Sequence, residues 1–121
     1  MRETIAVVGA SADPAKYGNM AVRAWQEAGW TVYPVNPREE QIEGLTAYPT
    51  ILDIPGEVQV ATMYVPPPLG MRIADKIIEK GIAQVYLNPG AGSVELRQKL
   101  ENAGIEVLEA CSIIAARMMR G

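Results

Sequence analysis

Thr4-Ile5-Ala6-Val7-Val8-Gly9-Ala10-Ser11 is the stretch whose reading decides the fold. It reads as a buried strand running straight into a glycine, the junction that opens a strand–loop–helix phosphate cradle. A dinucleotide fingerprint would continue with glycines at 11 and 14, but Ser11 and Pro14 stand there. The next glycine is Gly18, just before an amphipathic helix, so the loop is longer and carries Ser11, Lys16 and Tyr17. The second strand ends in Val35-Asn36-Pro37-Arg38. A site for NAD places an acid near that point to accept from a ribose hydroxyl. An amide and an arginine stand here instead, which suits a nucleotide with an additional ribose phosphate.

On either side of this stretch one unit repeats. A helix closes on a glycine and a strand begins almost at once, at Ala28-Gly29-Trp30, Lys80-Gly81-Ile82 and Ala103-Gly104-Ile105. Repeated short helix-to-strand connections mark parallel βαβ units. Strands are expected at about 4–9, 31–36, 59–65, 83–88 and 105–109, several of them continuous apolar runs, as in parallel sheets covered on both faces. Helical spacing groups Met20, Ala21, Ala24, Trp25 and Ala28 on one face, and Leu69, Ile73, Ala74, Ile77 and Ile78 on another. A later helix has Ser93 as its N-cap and a Glu95–Lys99 pair four apart. The segment 39–56 is less regular, with a short extra strand at Gly44–Tyr48 and a helical turn at Pro49–Asp53. The expected fold is α/β, a doubly wound (Rossmann-like) open parallel sheet of about five strands with helices on both faces, forming a single domain over residues 1–121.

Composition narrows the function. The net charge is −3 at pH 7, which argues against nucleic acid as a partner. No apolar run approaches the roughly 20 residues that span a bilayer. One cysteine and a chain start that enters a strand directly suggest a cytoplasmic protein. With no histidine, the chain lacks Ser-His and Cys-His nucleophile pairs, and no metal site is expected. Cys111, with apolar neighbours, reads as a buried, inert thiol. The apolar segment Ile113–Met119 packs as a final helix or forms a surface for homo-oligomer formation.

In such a sheet the ligand crevice lies beyond the carboxyl ends of the strands. Four loops converge there: Gly9–Asn19, Asn36-Pro37-Arg38, Pro66-Pro67-Pro68 after Tyr64-Val65, and Asn88-Pro89-Gly90-Ala91-Gly92-Ser93. Backbone amides of the first loop and the following helix N-terminus suit phosphate oxygens. A branched side chain at Gly9 is expected to fill the space a diphosphate needs. Prolines flank a flat purine without offering a backbone donor.

Taken in order, Ile5-Ala6-Val7-Val8-Gly9-Ala10-Ser11, Tyr33-Pro34-Val35-Asn36-Pro37, Tyr64-Val65-Pro66-Pro67 and Asn88-Pro89-Gly90-Ala91 resemble the small stand-alone CoA-binding domain family. They are similar to the nucleotide-binding domain of the succinyl-CoA synthetase alpha subunit. The resemblance implies that Gly9, Ala10 and Ser11 cradle the diphosphate of coenzyme A. It further implies that Asn36 and Pro37 lie near the ribose phosphate, and that Val65, Pro66 and Pro67 border the adenine. Charge adds Lys16 and Arg38 to the cofactor-binding set, and position adds Tyr17. Near the last strand, Glu109-Ala110-Cys111-Ser112 departs from the family's Asp-Arg-Cys pattern by lacking the arginine. The expected function is therefore a small protein that binds CoA or an acyl-CoA and does no chemistry alone. The alternatives are an NADP-type oxidoreductase or redox sensor, with Arg38 on the 2′-phosphate, and an accessory subunit of an acyl-CoA ligase.

Overall fold

The structure, a computed structural model, describes residues 3–119. Strands β1 (Thr4–Val8), β2 (Thr31–Val35), β5 (Val60–Met63), β6 (Gln84–Leu87) and β7 (Glu106–Leu108) form one parallel sheet in the order β2-β1-β5-β6-β7. The expected α/β doubly wound architecture is thus present. Every residue of β1 is buried, and the alternation of side chains explains its unbroken apolar run. Ile5 and Val7 face a layer containing Trp25, Ala21 and Ile113, whereas Ala6 and Val8 face one containing Met63, Ala74 and Leu96.

Helix α1 (Tyr17–Glu27) and helix α4 (Ser112–Met119) pack on the first face; α2 (Pro67–Lys80) and α3 (Val94–Asn102) cover the other. The expected stripe on α2 is rotated. Its buried residues are Gly70, Ala74 and Ile77, while Leu69 is exposed and Ile73 half-buried, because both turn toward a cavity described below. Two prolines occupy the first helical positions of α2 after Pro66, and neither offers an amide hydrogen. In α3 Ser93 does cap, its hydroxyl accepting from Leu96 N at 3.1 Å. Lys99, however, pairs at 2.9 Å with Asp75 on α2, the helix packed beside it, instead of with Glu95. On α4, Ser112, Ile113 and Ala116 are buried and Ile114, Met118 and Met119 are exposed, so one side belongs to the core and the other faces outward. Cys111 is half-buried, contrary to expectation, because α4 enters the core through Ile113 and Ala116 and leaves its preceding residue at the margin.

Between β2 and β5 the chain makes a hairpin, β3 (Gln41–Ile42) against β4 (Leu45–Thr46), and a 3-10 turn at Ile51–Asp53. The extra strand expected at 44–48 is shorter. Tyr48 leaves it to bridge in parallel with Val35, extending the edge of the main sheet by one residue. The turn carries a reciprocal cap, in which Thr50 N donates to Asp53 Oδ2 at 3.0 Å and the Thr50 side chain accepts from Asp53 N, while Thr50 Oγ1 also donates to Asp53 Oδ2 at 3.0 Å.

Candidate functional site

The chain passes from β1 to β2 on one side and then returns to place β5 on the other. This reversal opens a crevice between the ends of β1 and β5, the usual ligand position in open α/β sheets. Two cavities of about 520 and 530 Å³ lie there and share Gly9, Ser11, Lys16, Tyr64 and Val65. The first extends toward Pro89, Gly90 and Ala91; the second runs between the β2 turn, Thr50 and α2. The chain has 14 acidic and 11 basic residues, yet among the described residues neither cavity is lined by a carboxylate. Among the described residues, lysine is the only charged type in either lining.

The loop from Gly9 to Lys16 is held in shape by its own side chains. Ser11 Oγ accepts from Asp13 N at 3.0 Å, and Asp13 Oδ1 accepts from Ala15 N at 2.9 Å. That bond leaves the Ser11 hydroxyl hydrogen to donate into the crevice. Asn19, wholly buried in α1, donates from Nδ2 to Ser11 O and to Glu43 Oε2, each at 3.0 Å, fastening the hairpin tip to the loop. Helix α1 has Lys16 at its N-cap, no side-chain cap and no acid in its first turn. A lysine has no acceptor for the first amides of a helix. The positive end of α1 therefore meets the first cavity beside a lysine, the electrostatics of an anion site.

Gly9 itself has φ +88°, and an added Cβ would sit 2.9 Å from Val65 Cγ1 and 3.0 Å from Tyr64 C and O. A side chain at Gly9 thus collides with the β5 exit. This revises the expectation that it would fill diphosphate space.

Of the residues singled out from sequence, Gly9, Ser11, Lys16 and Val65 line both cavities; Tyr17 and Pro66 line the first; Ala10, Asn36 and Pro37 line the second. Arg38 and Pro67 line neither. Asn36 is committed on both ends of its amide: Nδ2 donates to Ala10 O at 2.8 Å and Oδ1 accepts from Arg38 N at 2.7 Å. It joins the two loops and leaves the Arg38 side chain exposed. Sequence reasoning missed Thr50 and Lys76 as lining residues, and assigned Leu69 and Ile73 of the same lining to the core.

Beneath the crevice lies a buried polar network. Asn88 Nδ2 donates to Thr62 Oγ1 at 2.7 Å and Met63 O at 2.9 Å, and its Oδ1 accepts from Ser112 N at 2.8 Å. Ser112 Oγ lies 2.7 Å from Thr62 Oγ1 and 3.0 Å from the Tyr64 hydroxyl. Tyr64, which walls both cavities, is thereby tied to the start of α4. Burial pushes its phenol above the ordinary tyrosine value, outweighing the hydrogen bond with Ser112 that acts the other way. The folded protein thus holds this proton more tightly than the unfolded chain does. Its contribution to stability is complete below about pH 10 and is lost as pH rises from there through the folded value. Tyr64→Phe is expected to lower stability by about 1 kcal/mol at pH 8. Between pH 8 and 10.5 it should lose less further stability than the parent. Urea unfolding at both pH values checks this; parallel losses in parent and variant would refute it.

The sequence pattern of a family described as CoA binding domain matches residues 3–117. The chain is 42% identical over 84 residues to the alpha subunit of an ADP-forming acetate–CoA ligase II from Pyrococcus furiosus, a match that takes in 69% of this chain and 18% of that one. It therefore spans less than a fifth of that relative. Among solved structures, a hypothetical protein from Pyrococcus horikoshii OT3 superposes with a TM-score of 0.93 at 32% identity, over 99% of this chain and 85% of that one. A dinucleotide-forming acetyl-coenzyme A synthetase 1 of Ca. Korarchaeum cryptofilum, in complex with phosphate and ADP, superposes with a TM-score of 0.79 at 31% identity, over 89% of this chain and 25% of that one.

Proposed function

Because the chain belongs to the CoA-binding domain family, we propose that it binds coenzyme A or an acyl-CoA in the paired cavities and carries out no chemistry alone. The observation that carries this reading is the carboxylate-free crevice around Gly9, with Lys16 and the uncapped start of α1 facing it. The Gly9–Lys16 loop takes the diphosphate, with the Ser11 hydroxyl donating. The second cavity takes the adenosine between Asn36-Pro37 and Val65, with apolar surface from Ile51 and Ile73. The pantetheine arm runs the other way, over Tyr17 and toward Pro89–Ala91. Among the described residues neither cavity lining offers a carboxylate, imidazole or thiol to act as base or nucleophile. A chain with one cysteine suits a cytoplasmic setting.

The relatedness to acetate–CoA ligase subunits supports a second reading, in which another chain supplies catalysis and this one presents the thioester. The two share their first test. CoA at 100 times its Kd is expected to stabilise the native state by about 2.7 kcal/mol and to raise Tm by roughly 10 °C. Calorimetry should rank CoA above NADPH, NADH and ATP. NADPH binding as tight as CoA would overturn the proposal in favour of an oxidoreductase-type site.

A further inference from the structure

The second cavity carries a second cation, on its α2 wall. Leu69, Ile73 and Lys76 lie at helical spacing on the α2 wall of that cavity. Seven residues of helix place Lys76 about 10 Å along the axis from Leu69, and so well away from the β5 exit. Arg72 and Glu79, about one turn away on the same helix, line neither cavity, and three other charges around it are already engaged. Lys80, one turn on, donates to the Ile54 carbonyl. Asp75, its sequence neighbour, is paired with Lys99 at 2.9 Å. Asp53, beyond the opposite wall, accepts both bonds from Thr50. Among the described residues the Lys76 ammonium has no ion-pair or hydrogen-bond partner, and the same holds for Lys16.

The cavity is therefore lined by two lysines that have no ionic partner, and among the described residues its lining holds no carboxylate. Two like charges in such a setting favour a ligand that carries two separate anionic groups and an apolar part to lie on the wall. An adenine nucleotide with a further phosphate on its ribose has both, its two anionic groups on one sugar and its flat base attached beside them. Arg38, the cation nearest in sequence to the β2 turn, lines neither cavity, and its backbone amide is bound to Asn36 Oδ1 at 2.7 Å.

We propose that Lys76 holds the ribose phosphate of the bound nucleotide, while Lys16 and the Gly9 loop hold the diphosphate. This rests on the CoA reading above, in which that group is the 3′-phosphate. Lys76 is a specificity-determining contact, and Arg38 adds only general attraction at the rim.

The test is calorimetry on the whole chain with CoA, dephospho-CoA, NADP+ and NAD+, using the parent, Lys76→Ala, Lys76→Arg and Arg38→Ala. Lys76 is exposed, so its replacement leaves the fold intact. Lys76→Ala is expected to weaken CoA about tenfold or more and to leave dephospho-CoA within about twofold. Lys76→Arg should keep most of the preference for CoA. Arg38→Ala should change both ligands equally and by less than about threefold. If Lys76→Ala weakens both ligands alike or neither, the inference fails and the CoA reading stands. If the parent binds neither CoA form, the CoA reading itself fails and takes the inference with it. If the parent prefers NADP+ to CoA and Lys76→Ala abolishes discrimination from NAD+, the CoA reading is overturned and the ribose-phosphate assignment is upheld.

Discussion

Gly18→Ala is expected to destabilise the protein by about 3 kcal/mol and lower its melting temperature by roughly 10 °C. Gly18 opens α1 directly against the end of β1, and a Cβ built there would lie 2.2 Å from Gly9 O and 3.1 Å from Ala10 Cα. Both obstacles are backbone, so no rotamer change relieves them. Alanine's better helix propensity offsets at most about 1 kcal/mol. The collision is larger, because it forces α1 away from the sheet and drags the phosphate loop with it. Gly92→Ala is the control, since its nearest neighbours would lie at 3.5 Å and its backbone is unstrained. Thermal unfolding by circular dichroism should show a large drop for the first and almost none for the second. A Gly18→Ala protein melting within about 2 °C of its parent would show that α1 and β1 are not in close contact. Nucleotide binding should fall with it, since the amides that would face the diphosphate belong to the displaced segment.

Asn88→Ala is expected to cost about 4 kcal/mol, a large share of the 5–15 kcal/mol that typically holds a domain folded. The side chain is 3% exposed and makes three hydrogen bonds. Its loss leaves the Ser112 amide, the Met63 carbonyl and the Thr62 hydroxyl short of partners in the buried interior, and each orphaned group costs about 1–3 kcal/mol. Asn88→Asp gives a sharper signature. A carboxylate still accepts from Ser112 N but has nothing to donate to Met63 O, whereas the protonated acid restores that donor. Burial raises this carboxyl above its unfolded value of about 4, so the variant should be weak at pH 7 and recover stability as pH falls toward 4. Chemical denaturation at pH 7 and 4.5 checks it; an aspartate variant equally stable at both would contradict the network.

The five main strands, the glycine-closed helices and the crevice loops were legible because each rests on a local pattern: an apolar run, a cap residue, a turn. Ser93 is an example, readable as a cap from its position and found capping. What escaped depends on contacts between distant residues. Thr62, Asn88 and Ser112 are ordinary polar residues in sequence, and only the sheet order brings them within hydrogen-bond reach. Leu69 and Ile73 look like core because they are apolar and helically spaced, yet the helix turns Gly70 and Ala74 inward, leaving these two for the cavity. Lys76 is one of several cations on an amphipathic helix, and nothing nearby in sequence distinguishes it from Lys80. Arg38 shows the converse: a charge placed at the right turn whose main chain, bound by Asn36, leaves its side chain outside both linings.

The prolines that begin α2 bear on which way round a ligand lies. Two helices start at this crevice, and helix starts ordinarily compete for the same anion. At α1 the first-turn amides are intact; at α2 Pro67 and Pro68 have replaced two of them with ring carbons. One gate is charged and the other is muted. An anion reaching the crevice therefore meets one electropositive helix start and one that has been silenced, and this lopsided pair acts as a compass for where negative charge settles.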